Sequence, residues 1–278
     1  MNAPSPTLNV SVPSAHLLIT TAETDTITVE VAPGHAWRPA DQRAADRVHT
    51  TREGEDVSVT APPASFLDSG TVRITATVPV GTRVDSDTGN GAVRATGDLG
   101  ACTLRTGNGS LSVEGAAELD AETSNGAITL GTVTGECRLR TASGAVRAEQ
   151  LGGVAEIHTS NGAVRVRKAG PVLQAETANG SLHVDEVDGD VTLRTTNGSI
   201  RVGSVGGGAL TANTSNGRIT VGVAAGVSPW VDAQTHAGKV VNELTPTDGP
   251  RGERTAEIRV RTMAGSILLY RPGASRAA

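Results

Sequence analysis

Short runs in which apolar and polar residues alternate fill most of the chain. In Leu119-Asp-Ala121-Glu-Thr123 the alternate positions are apolar or threonine, and after Asn125-Gly126 the alternation resumes in Ile128-Thr-Leu130. A period of two marks a half-buried strand, so each run predicts a short strand. Glycines stand between the runs: one follows an asparagine, and a second set comprises Gly115, Gly135, Gly153, Gly170, Gly189 and Gly207. Glycine tolerates positive φ at tight corners, and asparagine does so better than most residues. No apolar spacing of helical period persists over a useful length. The chain reads as strand, corner, strand, corner.

The corners recur at a nearly fixed interval. The tetrads are Thr88-Gly-Asn-Gly91, Thr106-Gly-Asn-Gly109, Thr123-Ser-Asn-Gly126, Thr141-Ala-Ser-Gly144, Thr159-Ser-Asn-Gly162, Thr177-Ala-Asn-Gly180, Thr195-Thr-Asn-Gly198 and Thr214-Ser-Asn-Gly217. Their glycines are separated by 18, 17, 18, 18, 18, 18 and 19 residues. Looser copies follow at Thr235-His-Ala-Gly238 and Thr262-Met-Ala-Gly265. Such a period is the signature of a repeat architecture.

Two topologies fit. Asn-Gly between alternating runs is a strong hairpin signal, which favours an antiparallel meander. A meander of this many strands would be one large open sheet with an uncovered apolar face, and such sheets rarely stay single. A coil that winds on itself gives one strand per turn to each of two facing sheets and covers its own core. The expected fold is therefore all-β: a parallel two-sheet β-solenoid of about 18 residues per coil, with irregular β caps at both ends. Residues 1–84 are read as the irregular N-terminal cap, 85–222 as the regular repeats, and 223–278 as C-terminal irregular coils and tail. Strands are expected at Leu8–Val12, Thr26–Val31, Val57–Val59, Val72–Val78, Ala256–Val260 and Ser266–Tyr270. Polar loops are expected at Gly34–Gly54 and Asn242–Glu253, and a fraying tail from Pro272.

In a solenoid, equivalent residues stack at ~4.8 Å. Thr106, Thr123, Thr159, Thr177 and Thr195 then form an inward ladder. Asn108, Asn125, Asn161, Asn179 and Asn197 form a second ladder at the corner, interrupted by Ser143. The stacked amides are expected to bond along the axis and to satisfy corner backbone groups. Cys102 and Cys137 share an inward column two coils apart, beyond disulfide reach, so both are expected to be free and buried.

Composition agrees with a thin core. The 278 residues include 34 Gly but only 2 Trp, 1 Tyr and 1 Phe, and apolar residues make up 37%. A narrow core has room for Ala, Val, Leu, Ile and Thr and for little more. A net charge of −5 gives no global basic footprint for nucleic acid. No secretory leader and no apolar run of membrane-spanning length is present, so the expectation is a soluble, cytoplasmic protein, with a surface location reached only by an export route the sequence does not reveal.

The run Val78-Pro79-Val-Gly-Thr-Arg-Val-Asp-Ser-Asp-Thr88-Gly-Asn-Gly91, the Thr-Ser-Asn-Gly series and the closing Thr262-Met-Ala-Gly-Ser-Ile267 together resemble a bacterial family. It is the β-strand-repeat domain of unknown function labelled putative adhesin, and the resemblance covers roughly residues 55–270. The resemblance implies the solenoid fold and an adhesin-like role, and it carries no catalytic residues.

Each strand after a tetrad has one outward position, and in four consecutive coils these are Arg147, Arg165, His183 and Arg201. Like charges opposed on neighbouring strands are destabilising, so the column suggests an anionic partner. The competing reading is a solvated face neutralised by Glu149 and Asp185. The outward column before each Thr (Arg105, Glu122, Arg140, His158, Glu176, Arg194) mixes signs and reads as structural. Asp185, Glu186, Asp188 and Asp190 read as a solvated corner, since no calcium-roll nonapeptide recurs. The six histidines show no metal spacing, and no nucleophile elbow or phosphate loop is present. The sequence thus points to a non-enzymatic scaffold binding an unknown protein or polymer through its flat faces, with no cofactor and no metal. A cytoplasmic polymerising protein and a polysaccharide-acting β-helix enzyme are the alternatives.

Overall fold

The computed structural model describes residues 5–63, 70–244 and 254–272. The chain forms two compact units, 1–141 and 142–278. The fold is an all-β, parallel two-sheet solenoid with about one coil per 18 residues.

The first unit contains β1 (Thr7–Ala22), β2 (Thr28–Pro33), α1 (Pro39–Asp46), β3 (His49–Glu53), β4 (Asp56–Thr60), β5 (Val72–Pro79), β6 (Arg83–Asn90), β7 (Val93–Asn108), β8 (Leu111–Asn125), β9 (Ile128–Val133) and β10 (Cys137–Ser143). One sheet stacks β4, the first half of β1, β6 and the second halves of β7 and β8. The other stacks β5, the second half of β1, the first halves of β7 and β8, and then β9. The coil order is not the chain order. β1 is first in sequence yet lies between the β4–β5 coil and the β6–β7 coil. In β1, Val12 takes the place of Thr88 and Ser14 that of Asn90. On the outer side of β4 and β5, β3 and β2 pair antiparallel.

The segment Gly34–Gly54 is not simply loop: it holds α1 and β3. Pro39 opens the helix, where its missing N–H costs nothing. The fully buried Asp41 then accepts the N–H groups of Thr71 (3.0 Å) and His35 (2.9 Å) and the His35 ring nitrogen (3.0 Å). These contacts, that with Thr71 foremost, hold the Asp41 carboxyl below the usual carboxylate range against the opposing effect of burial. An eight-residue helix tied down by one acid has no apolar stripe to read.

The second unit contains β11 (Val146–Leu151), β12 (Val154–Asn161), β13 (Val164–Ala169), β14 (Val172–Asn179), β15 (Leu182–Asp188), β16 (Asp190–Asn197), β17 (Ile200–Asn216), β18 (Ile219–Val223), β19 (Val227–Ala237), β20 (Val240–Asn242), β21 (Arg254–Ala264) and β22 (Ile267–Tyr270). Sheet A runs β12, β14, β16, the second half of β17, β21, β19. Sheet B runs β11, β13, β15, the first half of β17, β18, β22, β20. Here too the end is reordered. β21 and β22 close the sequence, but they sit second to last in the stack, and the β19–β20 coil is outermost. The loop expected at Asn242–Glu253 lies outside the described residues from Thr245 on, as does the tail from Gly273.

The inward side chains are small and aliphatic, as in Ala155, Ile157, Leu173, Ala175, Val191 and Leu193, all at most 1% exposed. Each tetrad threonine is turned inward. In most coils its hydroxyl donates to the tetrad glycine carbonyl of the coil before, as Thr123 to Gly109 (3.0 Å), Thr195 to Gly180 (3.1 Å) and Thr214 to Gly198 (3.1 Å). Thr88 donates instead to the Arg105 carbonyl (3.4 Å), and the buried Thr159 hydroxyl has no partner among the described residues. The asparagine amides do form axial ladders, Asn125 to Asn108 (2.9 Å) and Asn197 to Asn179 (3.0 Å), but these side chains are exposed. They do not satisfy the corner backbone, because the backbone satisfies itself. Gly162 N–H donates to the Asn179 carbonyl (3.1 Å) and Gly180 N–H to that of Asn197 (3.0 Å).

Cys102 and Cys137 are free and buried. Burial pushes both thiols up to about 12. A thiol-reactive chromophore at pH 8 is therefore expected to titrate neither cysteine until denaturant is added. Rapid labelling of the native protein would contradict this packing.

Candidate functional site

Sheet B of the second unit brings the basic column together. Arg147 pairs with Arg165, Arg165 with His183 and His183 with Arg201, each on an adjacent parallel strand. The alternation that buries Val146, Val164, Leu182 and Ile200 turns these four side chains outward. The strand register, not any local contact, builds the row.

Its neutralisation is partial. Asp185, two residues beyond His183 on the same face, lies 2.6 Å from His183 Nε2 and 3.2 Å from Arg165. Glu149 does not serve the row; it pairs with Arg167 at 3.3 Å, in the next outward column. Arg147 and Arg201 have no carboxylate partner among the described residues. The row is therefore a central Arg–His–Asp cluster with an uncompensated guanidinium at each end. The acidic corner is also engaged: Asp188 lies 3.7 Å from Arg254, and Asp190 accepts the Ala209 N–H at 3.0 Å.

Sheet A carries a feature not anticipated from sequence, a trough of about 730 Å³ running across the strands of the second unit. One bank is the mixed-sign column, in which Glu176 lies 3.1 Å from Arg194 and 3.7 Å from His158. The lining includes the position after each Asn-Gly tetrad threonine, Ser160, Ala178, Thr196 and Ser215, a column that His236 and Met263 continue with longer side chains. Those small residues were the available signal, since a column of short side chains beside a column of long ones makes a furrow. The Thr and Asn side chains bond between neighbouring coils. Among the described residues no three His, Cys, Asp or Glu side chains approach closely enough to hold a metal. No described helix is long and apolar enough to cross a membrane.

Fold and faces together define a parallel β-solenoid with regular, chemically patterned outer surfaces. No family model matches the chain, and no curated protein matches it. Among solved structures it is similar to a putative adhesin from Bacteroides fragilis, at 12% identity over 95% of this chain and 91% of that one, with a TM-score of 0.39. A putative adhesin from Parabacteroides distasonis matches at 12% identity over 96% and 93%, with a TM-score of 0.38. A putative cell adhesion protein from Clostridium sporogenes matches at 11% over 96% and 92%, with a TM-score of 0.20.

Proposed function

We propose that the chain is a non-enzymatic, adhesin-like scaffold that binds an anionic macromolecule along sheet B of its second unit. One observation carries this reading: Arg147, Arg165, His183 and Arg201 lie on neighbouring strands in strict register, and the two outer arginines lack carboxylate partners among the described residues. Holding like charges ~4.8 Å apart costs stability, and a polymer bearing phosphate, sulfate or carboxylate groups offsets that cost. The rigid spacing favours a repeating ligand over a small one.

The test is binding to an immobilised sulfated polysaccharide across a salt series. The wild type is expected to be retained at low salt and released as ionic strength rises. The double variant Arg147→Gln/Arg201→Gln is expected to bind about tenfold more weakly, a difference of about 1.4 kcal/mol. Arg105→Gln, in a column whose charges are paired, serves as the control. Equal retention of the double variant and the wild type would overturn the proposal.

A further inference from the structure

The outermost coil of the second unit is unfinished. Val231, Ala233, Thr235 and Val240 occupy core-facing positions, as their partners Ile258, Val260, Thr262 and Ile267 show. Those partners are at most 5% exposed, whereas Val231, Ala233 and Thr235 are half-buried and Val240 is 43% exposed. Trp230, Val241 and Met263, at separate places on the same two coils, are exposed as well. The apolar core is thus open at this end among the described residues. A solenoid end normally requires a cap.

The strand edge is open as well. Gly265 N–H donates to the Ala237 carbonyl, so Ala237 turns its backbone toward the β21 side. Pro229 has no N–H yet pairs with Ala256, so Trp230 makes the bond to Ala256 and faces β21. By alternation Asp232 and Gln234 do the same, while Val231, Ala233 and Thr235 turn N–H and C=O to the free edge, the alternation breaking at His236, which the ladder skips. Pro229 itself falls on the free edge, so the open stretch runs from Val231 to Thr235. The chain's own remaining segments are poor covers. Residues 245–253 read TPTDGPRGE and 273–278 read GASRAA, with no large apolar side chain.

We infer that a second copy of this chain covers the open end, with β19 pairing antiparallel to its twin about a two-fold axis at Ala233. The strand's central register would set Asp232 against its own copy, which like-charge repulsion disfavours. A shift of one step sets Asp232 opposite Gln234 of the twin and Trp230 opposite its His236. Ala233 then meets its copy at the axis, and Val231 meets Thr235, so the two thin cores run into one another. The edge residues form the hydrogen-bonded pairs. Ala233 forms a hydrogen-bonded pair, where Cα atoms lie ~5.5 Å apart, within disulfide range. An isologous contact of this kind closes at two copies.

Sedimentation of the full chain tests this, with two variants. The wild type is expected as two chains. Ala233→Pro removes an edge N–H that its own ladder does not use, and it is expected as a single chain with an unchanged far-ultraviolet circular dichroism spectrum. Ala233→Cys is expected to form a covalent dimer on mild oxidation, while Gln234→Cys cross-links far more slowly and the buried native thiols not at all. A single-chain wild type into the millimolar range, a concentration-dependent filament, or failure of Ala233→Cys to cross-link would overturn the inference. Should Ala233→Pro fail to fold, the two cysteine variants decide the matter. None of these readouts depends on polyanion binding.

Discussion

Replacing Gly180 by alanine is expected to cost ~3 kcal/mol or more, toward the severe end for single substitutions. The reason is space. A Cβ at Gly180 would lie 2.0 Å from the carbonyl oxygen of Gly162 and 2.7 Å from its carbonyl carbon, and backbone offers no rotamer to escape into. The coil would have to move by more than an ångström, and its neighbours on both sides depend on its position. The Gly180 N–H donates to Asn197 at 3.0 Å, and its carbonyl accepts the buried Thr195 hydroxyl at 3.1 Å. That carbonyl also lies 1.9 Å from where a Cβ on Gly198 would sit, so the next coil is seated on the same glycine. The informative control is Gly226→Ala in the same unit. Gly226 has φ of 77° with nothing within 4 Å of a new Cβ, so only the backbone preference is lost, about 1 kcal/mol. Urea unfolding followed by circular dichroism should separate the two variants clearly. Equal destabilisation would mean that the tetrad glycine is kept for its dihedral angles and not for the contact between coils.

That distinction marks how far the sequence could be read. The interval between tetrads fixed what stacks on what, and so the inward threonines, the asparagine ladder and the row from Arg147 to Arg201 were all legible. The purpose of the tetrad glycine was not, because a corner that needs positive φ and a corner that needs room select the same residue. Coil order was hidden for a related reason: any coil that keeps the register fits at any height. β1 also carries no trace of the motif, since Val12-Pro-Ser14-Ala15 stands where Thr88-Gly-Asn90-Gly91 stands in the next coil. At the candidate site, alternation told which side chains face outward but not how far they lean. Asp185 therefore reaches both His183 and Arg165, while Glu149 turns to Arg167. The trough on sheet A was missed because small exposed residues carry no charge pattern to draw attention.

Deleting residues 1–22 is expected to unfold the first unit, although a first strand in a solenoid would ordinarily be the cheapest to lose. Here β1 is an inner coil. It pairs with β4 and β5 on one side and with β6 and β7 on the other, through both sheets. Leu8, Val10, Val12, Leu17 and Ile19 are all at most 4% exposed. At ~1.5–3 kcal/mol for each fully buried large apolar side chain, their loss is on the order of 10 kcal/mol, as large as the whole stability of a typical domain. Among the described residues, the β4–β5 coil would lose its only parallel neighbour in both sheets and keep the antiparallel strands β3 and β2. Amide hydrogen exchange should show protection lost in β4, β5 and β6 together. A peptide of residues 5–22 added in trans is expected to restore that protection, since the slot it leaves has the register of a single coil. Retained protection in β4 and β5 after the deletion would show that they close directly onto β6 and β7, and that the interposed position of β1 is dispensable.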